Sequence, residues 1–303
     1  MKKARLALAI GIICISVFPI LVKLNLTPGV ISAFYRMAFS FVLILPYALI
    51  TKQIKIPNLK MGLLAVLCGV IFGSDVAVWN IAIQESTATQ ASLLTNLSPV
   101  WVGILALFFM KDKPRGNFWI GTLVAVFGMM MLVGFSIFRN LDFDLGFSFG
   151  ILSGVFYAFY MLISKEALKQ LNVITFMTIS LGASSIYLAG LSYALDEPFS
   201  GFSNTGWFVL VLQAVICQLL AWILISFATK EMRATRISVS LLAQGILASI
   251  LAWLFLDENI SFQMVLGGLV LLFGIRITFY EKQLHKSLFK KRGAVTALKL
   301  DKK

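Results

Sequence analysis

The sequence predicts an all-α integral membrane protein of ten transmembrane helices, arranged as two five-helix repeats of opposite orientation. Three observations lead there. Of 303 residues, 59% are apolar and 13% charged, with a mean hydropathy of +0.92, against roughly 45–50% and 25% in a soluble domain. The apolar residues come in nearly uncharged blocks of about 20, the length that crosses ~30 Å of hydrocarbon. Part of the second half repeats the first without a gap. The first two observations exclude a soluble globular protein, a disordered chain and a disulfide scaffold. An outer-membrane barrel would instead alternate apolar and polar residues along each strand.

Ten blocks follow one another at residues 6–24, 29–50, 61–83, 88–110, 117–137, 147–164, 172–194, 206–228, 237–256 and 261–280. The breaks carry turn formers or charges: Thr27-Pro28-Gly29, Lys113-Pro114-Arg115-Gly116, Asp196-Glu197-Pro198 and Asp257-Glu258-Asn259. The apolar run after Met1-Lys2-Lys3-Ala4-Arg5 imitates a signal peptide. No small-residue cleavage site follows it, and Lys23 closes a block of spanning length, so it reads as a retained first span. Cys14, Cys68 and Cys217 lie inside apolar blocks without metal-ligand spacing and read as small buried hydrophobes.

The net charge of +13 would suggest nucleic acid in a soluble protein. In a membrane protein its position matters more, because Lys and Arg collect on the cytoplasmic side. With the N-terminus inside, about 22 of the 26 Lys and Arg residues fall on the cytoplasmic side; Lys23 and Arg139 fall outside, and Arg36 and Arg276 within spans. Glu85, Asp142, Asp144, Asp196, Glu197, Asp257 and Glu258 fall on the outer side. Both termini are therefore expected in the cytoplasm, with the basic tail 281–303 as a solvated topology anchor close to anionic lipid.

Glu85-Ser86-Thr87-Ala88-Thr89-Gln90 aligns with Glu231-Met232-Arg233-Ala234-Thr235-Arg236, and a constant shift of 146 carries the match through Gly128 and Gly274. Ser92 meets Ser238, Ile104-Leu105-Ala106 meets Ile250-Leu251-Ala252, and Gly121 meets Gly267. About 13 identities in 44 gapless positions exceed what apolar composition alone produces. Five spans per repeat is an odd number, so the second copy enters the membrane from the opposite side. Inverted repeats let two similar halves rock about a midplane site, which is the arrangement a transporter needs.

These features resemble the EamA family of the drug/metabolite transporter superfamily. Each repeat has an A-T-x-x-S start (Ala88-Thr89 to Ser92; Ala234-Thr235 to Ser238), a long span, a short charged turn and a G-x-L-V…F-G segment (Gly121 to Gly128; Gly267 to Gly274). Lys111-Asp112-Lys113-Pro114 and Asp257-Glu258-Asn259 are similar to its acidic-residue-plus-proline turn, the second without the proline. The resemblance implies a first EamA repeat at 6–137 and a second at 147–280. It also implies a transport core from spans 1–4 and 6–9, peripheral spans 5 and 10, and substrates among amino acids, nucleotide-like metabolites and drugs.

Polar residues inside spans are costly and face a bundle interior or cavity. Asp75 is the only acid within a span, on a face with Phe72 and Trp79. That face points roughly 200° away from the small-residue stripe Ala65, Gly69, Gly73 and Ala77. Arg36 belongs to the series Ser32, Arg36, Ser40, Leu43, Tyr47, which reads as an inward polar face of span 2. An Arg36–Asp75 ion pair is geometrically open, either as a static pair or as a substrate or proton site. Span 4 carries a seam of Thr89, Ser92, Asn96, Pro99 and Gly103; its mate carries Gln244, Gly245 and Ser249. Pro99 and Gly245 occupy equivalent positions and are candidate hinges. Asn96 and Gln244 are candidate site residues because their amides are hard to satisfy in lipid. Span 6 adds Ser153, Tyr157, Tyr160 and Ser164, and span 8 adds Gln218, Trp222 and Ser226. The expected cavity, lined by Asp75, Trp79, Arg36, Asn96, Tyr157, Tyr160, Gln218, Trp222 and Gln244, suits a small organic molecule, although an aromatic stripe also serves packing.

The expected function is a secondary transporter of small organic metabolites (amino-acid-like or amphipathic compounds), an exporter by family analogy, working by alternating access in the cell (inner) membrane. A facilitative channel or importer, or a lipid flippase, would share the architecture and differ in whether flux of a water-soluble solute saturates. The sequence has no G-x-x-x-x-G-K-[ST] loop. An enzyme is not expected, since the single histidine, His285, lies in the tail and there is no H-E-x-x-H. No cofactor, metal or nucleic acid is expected. The partners are a small-molecule substrate, the bilayer and, as a candidate assembly, a second copy joined through spans 5 and 10.

Overall fold

The computed structural model describes residues 2–55, 58–85, 94–111, 113–134, 145–256 and 259–280. Thr89, Ser92, Asp112, Arg139, Asp142, Asp144, Asp257, Glu258 and the tail 281–303, all named above, lie outside the described residues.

The helices are α1 (Lys2–Val22), α2 (Gly29–Ile50), α3 (Leu59–Glu85), α4 (Ser98–Phe109), α5 (Gly116–Val133), α6 (Leu145–Ala167), α7 (Val173–Ala194), α8 (Asn204–Glu231), α9 (Ala234–Phe255) and α10 (Phe262–Phe279). Among the described residues nine are long and apolar enough to cross a membrane, and α4 is a shorter apolar helix. Large apolar side chains cover the outside, with Leu123 67% and Phe273 61% exposed, as a surface solvated by lipid tails requires.

Four helices depart from an unbroken α-helical ladder. In α1 the ladder breaks at Val17, where Pro19 opens the short segment Phe18–Lys23 and removes an interior N–H. In α4 and α9 turns at Asn96–Leu97 and at Leu242 precede helices starting at Ser98 and Ala243. Asn96 and Leu242 are equivalent at the shift of 146. Residues Gln213–Leu220 of α8 form a π-helix, flanked by α-helix on both sides.

The two halves interlock as mates. α1 packs on α8 as α6 packs on α3, and α4 packs on α6 as α9 packs on α1, while α2 with α7 and α5 with α10 pair across the axis. The α5–α10 pair shows the inversion atom by atom. A Cβ on Gly121 would lie 2.7 Å from the Gly274 carbonyl oxygen, and one on Gly274 2.7 Å from that of Gly121. Gly128 and Gly267 are related in the same way, each Cβ meeting the other's carbonyl oxygen at 2.8 Å. Equivalent helices therefore cross antiparallel, backbone against backbone, and only glycine permits that approach.

The small-residue stripe of α3 packs as its pattern predicts. Gly69 and Gly73 face α7, where Ser184 Oγ donates to the Gly69 carbonyl oxygen at 2.8 Å. On α2 the expected polar face is shorter than its spacing suggests. Ser32, Arg36 and Ser40 are buried, but Leu43 and Tyr47 are 49% and 52% exposed. Past Ser40 the helix turns a different face inward, and Met37, Phe41, Ile44 and Ala48 take over the packing, with Phe41 against Gly182 of α7.

Candidate functional site

Asp75 sits in the middle of α3, on the face opposite the glycine stripe, and is 6% exposed. That face meets α6, and Ser153 Oγ donates a 2.6 Å hydrogen bond to Asp75 Oδ1. Ser153 Oγ also lies 3.2 Å from Thr95 Oγ1, beside the α4 interruption. Three elements thus converge on one buried carboxylate. A full charge in hydrocarbon is costly and persists only with such partners.

One turn before Asp75, Phe72 joins Tyr160 of α6 and Trp222 of α8. Phe72 is 4.7 Å from each ring, Tyr160 and Trp222 are 5.4 Å apart, and Tyr157 lies 6.4 Å from Trp222. Phe72, Tyr160 and Trp222 are buried, so this stripe forms a packed seam joining three helices and both halves. Gln218, one turn before Trp222, is 2% exposed, and its Oε1 accepts no hydrogen bond among the described residues.

Arg36 faces a different neighbourhood. Its guanidinium carbon lies 4.3 Å from the centre of the Phe18 ring, which is 6.0 Å from the ring of Trp79. Arg36 is 6% exposed, and its Nε is buried without a hydrogen-bond partner among the described residues. The Arg36–Asp75 ion pair does not form: no nitrogen of Arg36 comes within 4.0 Å of an Asp75 oxygen. The phase of α3 explains this. Asp75 is turned to α6 and taken by Ser153, whereas Arg36 leans across the broken end of α1.

Arg36 lines a cavity of about 30 Å³, together with Thr27, Ser32, Asn80 and Gln213, walled by Phe18, Leu21, Val22, Leu26, Val76 and Val209. All come from one end of the bundle, where α1 and α3 finish and α2 and α8 begin. Ser32 Oγ donates to Gln213 Oε1 at 3.2 Å, and Asn80 Nδ2 donates to the Val76 carbonyl at 2.8 Å. Gly29 is required beneath Asn80, because a Cβ there would collide with the amide.

The structure thus groups Asp75 with Tyr157, Tyr160 and Trp222 along one seam, and Arg36 with Trp79 about Phe18. Asn96 is half-buried at the α4 interruption, next to Thr95. Pro99 is buried at the start of α4, and Gly245 packs against Met129 of α5. Gln244 is half-buried on α9, whose neighbours include α1, α4, α5, α6, α8 and α10. Sequence reasoning missed Phe18, Asn80 and Gln213, and did not single out Ser153 from its stripe. The two amides carried the same signal as Gln218, a hard-to-satisfy group inside a span. In an ordinary helix Gln213 and Gln218 diverge, and the i→i+5 bonding of the π segment brings residues five apart closer to one face.

The EamA-like transporter family model matches this chain twice, over residues 2–134 and 144–280. A protein of Clostridium kluyveri named as an uncharacterized transporter is 27% identical over 92% of this chain and 94% of its own. The uncharacterized transporter YdfC of Bacillus subtilis is 24% identical over 85% of this chain and 84% of its own. A solved crystal structure, 14% identical, superposes with a TM-score of 0.77 over 92% of this chain and 97% of the other, which establishes the shared fold. Two matched segments span nearly every helix, and the protein belongs to the EamA-like transporter family.

Proposed function

We propose that this membrane transporter is a secondary exporter of small organic metabolites, amino-acid-like or amphipathic, moving them by alternating access between its two halves. The observation that carries the reading is the exchange of partners across the axis, α1 on α8 and α6 on α3. Two such equivalent interfaces can trade tightness, so that one end of the central site closes as the other opens. The interruptions of α4 and α9 at equivalent depth, just before Pro99 and Gly245, support a hinge role for those positions. Asp75, Arg36, Trp79, Tyr157, Tyr160, Gln218 and Trp222 supply the path, with Asn96 and Gln244 beside the hinges. The charge distribution supports cytoplasmic termini in an inner membrane.

A homodimer through α5 and α10 would use their outer faces, such as Leu123, Leu269 and Phe273, because their glycine faces already fill each other. The mass of the particle in native-like discs tests it. The transport reading is tested by solute counterflow in proteoliposomes, using a metabolite panel chosen by toxicity in overproducing cells. Saturable exchange of a water-soluble solute, weakened in Asp75→Asn and Trp79→Ala, is expected. Absence of saturable exchange across the panel would overturn the reading. Exchange that both variants leave intact would remove these residues from the path.

A further inference from the structure

We infer that the solute carries a single carboxylate, and that Arg36 is its receptor. The inference rests on the transporter reading and names the chemistry of its site.

Arg36 stands about 10 Å down α2 from Gly29, seven residues at 1.5 Å each, and lines the cavity described above. Its guanidinium has five N–H donors and no capacity to accept, yet no described residue accepts a hydrogen bond from it. Its guanidinium carbon lies over the ring of Phe18, at 4.3 Å. Asp75 is bound to Ser153 and makes no ion pair with Arg36, acting on its charge only from beyond 4.0 Å. Arginine in a membrane interior ordinarily pairs with an acid or with backbone carbonyls. Here a buried fork is left facing a cavity.

What surrounds it selects the anion. Ser32, Asn80 and Gln213 are neutral, so the cavity offers one positive charge and suits a monoanion better than a phosphate dianion. The planar fork matches a carboxylate with two parallel hydrogen bonds. Apart from Thr27 the rest of the lining is apolar, with Leu21, Val22, Leu26 and Val209, so the remainder of the solute is apolar. At about 30 Å³ the cavity of this conformer has room on the scale of one or two waters. It must widen to admit the whole solute, as an alternating-access site does.

The test uses the full-length protein in lipid nanodiscs, with sodium benzoate and sodium butyrate against benzamide and butyramide. The readouts are thermal unfolding and tryptophan fluorescence, to which Trp79 contributes through Phe18. The carboxylates should stabilise the wild type, and the amides and inorganic phosphate should not. Arg36→Gln should weaken carboxylate binding by about tenfold or more, and Arg36→Lys, which keeps charge without the fork, by less. Amides or phosphate binding as well as the carboxylates would overturn the inference, as would an unchanged affinity in Arg36→Gln. The wild-type contrast decides the matter even if that variant does not fold. Counterflow of labelled benzoate separates the two levels. Binding without exchange would retire the transporter reading and keep the anion site; equal exchange of acid and amide would do the reverse.

Discussion

Ser153 Oγ donates to Asp75 Oδ1 at 2.6 Å, a single hydrogen bond that joins α6 of the second half to α3 of the first. It spans one of the two equivalent interfaces that alternating access would loosen in turn. The other, between α1 and α8, has Ala221 where the shift of 146 would place an acid. The halves are alike in shape but not in chemistry at this pair of positions.

Removing the donor should therefore be felt in both stability and transport. Ser153→Ala is expected to cost about 1–3 kcal/mol, the penalty for a buried acceptor left unsatisfied. Pairing it with Asp75→Asn in a double-mutant cycle should show a coupling of about 0.5 kcal/mol or more. Denaturant unfolding of the four proteins in one detergent measures it, and additive effects would show that the bond is not energetically significant.

The glycines of α5 and α10 make a contrast with Gly190. At Gly128 a Cβ would run into the backbone of Leu271, so Gly128→Ala should destabilise by about 1–3 kcal/mol through overpacking. Gly190 has nothing within 4 Å of an added Cβ, and Gly190→Ala should gain about 0.5–1 kcal/mol from helix propensity. Melting temperatures moving in opposite directions are the expected result.

Gln218 should trade stability against function. Its buried Oε1 accepts no hydrogen bond, so Gln218→Leu removes a polar group that has no partner in this conformer and should raise the melting temperature. The same change should reduce solute flux if the amide serves the path. A variant both more stable and fully active would remove Gln218 from the path.

Trp222 closes the three-ring seam with Phe72 and Tyr160. Trp222→Ala should cost about 3–5 kcal/mol from lost contacts and the cavity left behind. Trp222→Phe should retain most of the stability, as unfolding midpoints would show.

The inversion itself is open to labelling. In a background with Cys14, Cys68 and Cys217 replaced by alanine, Glu85→Cys and Glu231→Cys should react with an impermeant thiol reagent from opposite sides of the membrane. Reaction from one side would contradict the repeat relationship.

Much of this was legible because a bilayer leaves a sequence few choices. Every backbone group must be satisfied within a helix, so the apolar blocks announced the spans. Gly121, Gly128, Gly267 and Gly274 announced the close crossing, because no other residue lets two backbones touch. The phase of α3 placed Asp75 away from its glycine stripe by periodicity alone. The Arg36–Asp75 pair was not decided that way. Two residues at similar depth on successive helices can meet only if both faces point at each other, and facing is set by the third and fourth helices packed around them.

Membrane class, ten helices, internal duplication and the available polar residue types can all be read along the chain. These follow from composition, block length and spacing, which are properties of one chain segment at a time. Which groups meet depends on how the helices pack: Asp75 with Ser153, Arg36 with Phe18, and Gln213 beside Ser32. The break at Pro19 and the π turn at Gln213–Leu220 rotate their helices by amounts that ideal periodicity does not contain. A rotation of part of a turn is enough to exchange one neighbour for another.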